Sequence, residues 1–117
     1  MHILPQEIEV WYIIPAIRRE FAREMKKQGM SQSQIARRLN ISRAAISQYI
    51  SGKRGNDIRF RPVMMRKVRK AALGLLKDGC PIREIQLLCT YLKDKGHLCR
   101  VHQELDKDLR CCGVCCP

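Results

Sequence analysis

The chain has 117 residues, 45% of them hydrophobic, with 23 Lys and Arg against 11 Asp and Glu, a formal charge of +12. That length fits one compact domain or a small domain with an appendage, and the apolar content is enough for a core, which excludes disorder by composition. No apolar run approaches the roughly 20 residues that cross a bilayer, and no leader-like succession opens the sequence, so a cytoplasmic location with no membrane partner is expected.

The charge is concentrated. Residues 1–14 hold Glu7 and Glu9 and no base, residues 15–70 hold 16 bases and three acids (Glu20, Glu24, Asp57), and residues 71–117 are nearly balanced. A sequence pI near 9.8, with the bases grouped in one segment, is the electrostatic footprint of a nucleic-acid binder. A lysine-rich solvated surface gives the same composition, so charge needs a motif beside it.

Helix signals dominate, in chain order. Residues 5–13 read as a short helix leading in, although Ile8, Val10 and Tyr12 also alternate like a strand. Pro15 suits a first helical turn and Gly29 a stop, and between them Ile14, Ile17, Phe21 and Met25 recur at three- and four-residue steps. Ser31 can cap a helix of about eight residues with Ile35, Ala36 and Leu39 inward, and Asn40 can take the left-handed conformation that ends it. Ser42 can cap the next helix, with Ala45, Ile46, Tyr49 and Ile50 inward and Gly52 at its end. After a basic, loop-like stretch, Pro62 opens a helix closed by Gly79, with Val68, Ala72, Leu75 and Leu76 as its buried face. Pro81 opens another over 81–95, with Ile82, Ile85, Leu88, Cys89 and Leu92 on one side; Leu98, Val101, His102 and Leu105 suggest a last short one. The fold class expected is all-α, with a domain at 1–58 and a helical, cysteine-bearing part at 59–117.

The segment from Ser31 to Gly52 carries the most specific signal. Two short helices joined by a tight turn can lodge the second in the major groove. Ala36 is small where backbones must approach, while Ile35, Leu39, Ile41, Ile46 and Ile50 are apolar where the pair must pack. No Asp or Glu occurs from Gly29 to Asn56, so the outer face does not repel phosphates. A hairpin used only for protein contacts would show the same apolar register but has no need of an acid-free face.

Over Ser31–Gly52, without gaps, the sequence resembles the helix-turn-helix of the lambda-repressor-like (XRE) family; with the preceding helix the likeness spans about residues 14–55. The resemblance implies a compact helical bundle that binds double-stranded DNA at an operator, usually as a homodimer. It places Gln32, Ser42, Arg43, Ala44, Ser47 and Gln48 where the family meets DNA. At the first position of the second helix, Arg43 can bond guanine O6 and N7 together, worth about 1–3 kcal/mol of discrimination. Gln48 can read adenine and Ala44 a thymine methyl, while Lys53 and Arg54, in a basic loop, suit phosphates.

The seven cysteines are odd in number and none precedes residue 80. A disulfide framework needs an oxidising compartment, so metal or redox chemistry is the better expectation. Cys112-Gly113-Val114-Cys115 is a C-x-x-C, blurred by Cys111 and Cys116, and Cys80 reads as a small buried hydrophobe. Cys89, Cys99, Cys112 and Cys115 offer four thiolates for tetrahedral zinc or a [4Fe–4S] cluster. A rival set replaces Cys89 with His102, giving three thiolates and an imidazole suited to zinc. Gly96 to His102 followed by the C-x-x-C resembles the C-terminal region of archaeal XRE-type regulators, some of which are thought to carry an iron–sulfur cluster. That likeness favours the cluster on Cys89, Cys99, Cys112 and Cys115; where the pattern often has a further cysteine, three residues before Cys89, this chain has Gln86.

The function expected is a sequence-specific transcription regulator, a homodimer through helices 62–78 and 81–95, tuned by the cysteine module in response to redox state, oxygen or iron. A non-specific nucleic-acid binder is the alternative. A thiol oxidoreductase would need a strand–helix scaffold before its C-x-x-C, and no phosphate loop, paired carboxylates or Ser-His-Asp set is present, so no enzyme is expected.

Overall fold

The computed structural model describes residues 4–94, and every regular element among them is helical. In order these are α1 (Pro5–Ile8), a π-helical turn (Glu9–Ile13), α2 (Ile14–Lys27), α3 (Gln32–Leu39), α4 (Arg43–Ser51), α5 (Pro62–Leu75) and α6 (Pro81–Asp94). The expected all-α architecture is observed for this part of the chain.

No loop separates the leading helix from α2. Proline cannot donate an i→i−4 bond and its ring crowds the carbonyl one turn earlier. The chain accommodates Pro15 by widening the turn just before it: the Ile14 N–H reaches back five residues to the Glu9 carbonyl. The wide turn also keeps the buried register. Ile8 and Ile13 are five apart and both fully buried, after which Ile17, Phe21 and Met25 follow at four-residue steps. The inward stripe therefore runs through Ile13, with the expected Ile14 only half-buried beside it.

Helix ends follow the sequence closely. Ser31 accepts from the Gln34 N–H at 3.2 Å while the Gln34 side chain accepts from the Ser31 N–H at 2.9 Å, a reciprocal capping box. Asn40 closes α3 at φ 58°, and Gly52 closes α4 at φ 83°. In both, the next residue's N–H returns to a carbonyl five positions back, Ile41 to Ala36 and Lys53 to Gln48.

The core is one cluster that runs from Ile8 to Leu92. α2 lies at its centre and packs against α3, α4, α5 and α6. From α5, Met64, Val68, Ala71, Ala72 and Leu75 are buried, so α5 completes the same core as the helices before it. It is regular only to Leu75, not to residue 78, and Leu76 is only half-buried. On α6 the inward stripe is Leu88, Cys89 and Leu92, with Ile85 partly covered. Two expectations are corrected here. Ile82 is 70% exposed, because nothing among the described residues covers the first turn of α6. Cys80 is exposed rather than buried: its carbonyl receives the Glu84 N–H at 3.0 Å as α6 begins, and its side chain stays outside.

Gly55 fixes the return of the chain after α4. It is buried at φ 74°, and a Cβ there would collide with the Pro15 carbonyl and come within 3.0 Å of the Arg19 Cβ. Gly29 is also left-handed but has open space around it. Gly55→Ala is therefore expected to lose about 2 kcal/mol or more, from left-handed strain plus overlap, and Gly29→Ala only the strain of about 1–2 kcal/mol. Urea unfolding of the two variants checks the order.

Candidate nucleic-acid interface

The interface is built on α4. Its inward residues, Ala45, Ile46 and Tyr49, are buried, with Ile50 half-buried, and hold the helix against α2 and α3. The opposite side carries Arg43, Ala44 and Ser47, all exposed, with Gln48 half-buried at its edge. Arg43 is the first residue of the helix, so its guanidinium leaves from the end where backbone N–H groups are unpaired and the dipole is positive. A helix start of this kind attracts phosphate oxygens, and its first side chains reach furthest outward.

Ser42 has a structural duty in addition to any contact. Its hydroxyl oxygen accepts from the Ala45 N–H at 3.1 Å and so sets where α4 begins. Gln32 occupies the first position of α3 and is half-buried. In the loop after α4, Lys53 is exposed, and the exposed Arg54 guanidinium lies 5.8 Å from the centroid of the Tyr49 ring. That distance is within cation–π range, and it ties the loop to a buried residue of α4. α3 is joined to the end of α5 by Arg38, whose Nη2 donates to the Leu76 carbonyl at 3.4 Å.

All eight residues expected at DNA thus fall on α4 or its N-cap, the start of α3 or the loop that follows α4, and none is buried. Residues 21–55 match the helix-turn-helix family. This segment is a helix-turn-helix domain. The match begins inside α2 at Phe21 and ends at Gly55, where the returning chain meets α2. No curated protein and no solved structure matches the chain. No described helix is long and apolar enough to cross a membrane.

Of the expected metal ligands, Cys99, Cys112, Cys115 and the alternative His102 lie outside the described residues, as do Cys111 and Cys116. Cys89 faces the core from α6, and burial pushes its thiol up to about 11, with Glu9 adding to the rise. Lys93, which pairs with Glu9 at 3.7 Å, pulls the other way. The packing therefore favours the neutral thiol. Among the described residues no group of three or more His, Cys, Asp or Glu could hold a metal ion. Cys89 is the one residue of the expected ligand set that lies among the described residues, and its surroundings there are those of a buried thiol.

This contrast between two thiols is measurable. With alkylating reagent at neutral pH, Cys80 is expected to label in the native protein and Cys89 only after denaturation, read by peptide mass. The raised value also has a sign. The protonated Cys89 contributes stability that is complete below the ordinary thiol range and is lost as pH rises through about 9 to 11.

Beside the helix-turn-helix segment lies a feature that no local sequence pattern marks. Arg19 of α2 and Arg59 of the segment before α5 line one cleft, together with Arg23 and Glu20. Forty residues separate Arg19 from Arg59, and only the packing of the returning chain on α2 brings them together.

Proposed function

We propose that the chain is a sequence-specific transcription regulator that reads double-stranded operator DNA with α4 and acts in the cytoplasm as a homodimer. The observation that carries this reading is the exposed start of α4, with Arg43, Ala44 and Ser47 outward on an acid-free segment whose inner side is fully committed to the core. Arg43 supplies bidentate recognition of guanine, Gln48 and Ala44 read neighbouring bases, and Gln32, Ser42 and Ser47 orient the motif. Lys53 and Arg54 neutralise phosphates and set affinity rather than sequence choice.

Dimerisation is needed for two readers to enter successive major grooves about 34 Å apart. The apolar surface available for it includes Leu73 on α5 and Ile82 and Leu87 on α6, all exposed. We infer from the sequence that Cys89, Cys99, Cys112 and Cys115 hold a [4Fe–4S] cluster, or, with His102 as the alternative ligand, zinc. Iron and acid-labile sulfide in anaerobically prepared protein would support the cluster, zinc without iron would support the zinc site, and neither metal would remove both.

The reading is tested with an operator selected from random duplexes. Arg43→Ala is expected to weaken that operator by about 10-fold or more while leaving random duplex within about 2-fold. Lys53→Gln is expected to weaken both equally and to flatten the dependence on salt by about one ion. Equal binding of selected and random duplex by the unaltered protein would instead favour the non-specific nucleic-acid binder.

A further inference from the structure

A cleft of about 320 Å³ opens between α2 and the chain that returns toward α5. Three arginines line it: Arg19, Arg23 and Arg59. The one acid, Glu20, is already paired, its Oε1 accepting from Arg19 Nη1 at 2.9 Å. Ile58 and Phe60 form an apolar part of the wall. Arg19 is largely enclosed, with 14% of its side chain exposed, and its Nε is sealed from solvent with no acceptor. A buried donor without a partner is costly, and it marks a place where an acceptor belongs. Two net positive charges remain after the Arg19–Glu20 pair is counted among the four charged residues lining the cleft.

We propose that this cleft is a seat for a phosphate-type oxyanion, gripped by Arg19, Arg23 and Arg59. Guanidinium groups present planar forks that match tetrahedral oxyanions, and arginine is less strongly hydrated than lysine, so three of them beside an apolar wall favour such a ligand. Binding turns the Nε edge of Arg19 toward the anion and supplies the acceptor it lacks. The seat is linked to the reader's loop. Gly55 abuts the Arg19 Cβ, and the same stretch of chain carries Lys53 and Arg54 on one side and Ile58 and Arg59 on the other. An anion held between α2 and Arg59 fastens that stretch to α2. The phosphate group has two sources, a free oxyanion or a phosphodiester of the DNA backbone; the seat itself does not rest on the DNA reading, and only the second source does.

The test uses the full chain and inorganic phosphate. Its thermal midpoint is measured against phosphate concentration at constant ionic strength, with chloride as the balance. Unaltered protein and the control Lys26→Gln/Lys27→Gln, which removes two exposed charges elsewhere on α2, are expected to rise saturably by about 4 °C. Arg23→Gln/Arg59→Gln, at two exposed positions, is expected to keep less than half of that rise. An undiminished rise in this double variant, or no rise beyond chloride in the unaltered protein, overturns the seat. Duplex binding with and without phosphate then assigns the source. Competition that Arg23→Gln/Arg59→Gln abolishes identifies a backbone phosphodiester, and simultaneous binding identifies a free oxyanion, each supporting the seat. Absence of any duplex binding would defeat the regulator reading while the phosphate shift stood.

Discussion

The stripe that starts at Ile13 in the π turn and continues through Ile17, Phe21 and Met25 of α2 sets the position of every other element. Each of these side chains is fully buried, and α3, α4, α5 and α6 all pack on α2. Burying an aliphatic or aromatic side chain of this size is worth about 1.5–3 kcal/mol, so α2 contributes a large share of the favourable energy in a small bundle. α4 is only nine residues long and could not persist alone in water. It is a rigid reader because Ala45, Ile46 and Tyr49 spend one side on that core, which leaves the other free for contact.

Most of the local structure was legible because short-range chemistry decides it. The two serine caps, the left-handed Asn40 and Gly52, and the lengths of α3 and α4 depend on residues within four or five positions of each other. The π turn was not legible, since its signal is a shift in spacing from Ile8 to Ile13 that also reads as strand alternation or as a helix start at Pro15. The outward positions of Cys80 and Ile82 were missed for a different reason. Periodicity tells which side of a helix is apolar, not how far along its length a neighbour extends to cover it. The Arg19–Arg59 cleft depends on tertiary packing across 40 residues, and no local pattern announces it.

Charge and packing divide the work in this molecule. Acid-free sequence from Gly29 to Asn56 gives the domain a positive field that draws in polyanions from a distance, while salt bridges contribute little to holding the bundle together. Of those among the described residues, Glu9–Lys93 is long and half exposed on its lysine side, and Arg19–Glu20 joins adjacent residues on one helix. The bundle's integrity should therefore outlast its attraction for anions as salt rises, because hydrophobic burial is not screened and exposed charges are.

Trp11 is the only tryptophan in the chain, about half exposed and placed inside the wide turn ahead of Pro15. Its near neighbour Glu9 reaches across to Lys93 at the far end of α6. The molecule thus holds its one indole in the turn from which Glu9 reaches the last described helix. Excited at the red edge, where the three tyrosines do not absorb, its emission reports on that wide turn without an attached dye.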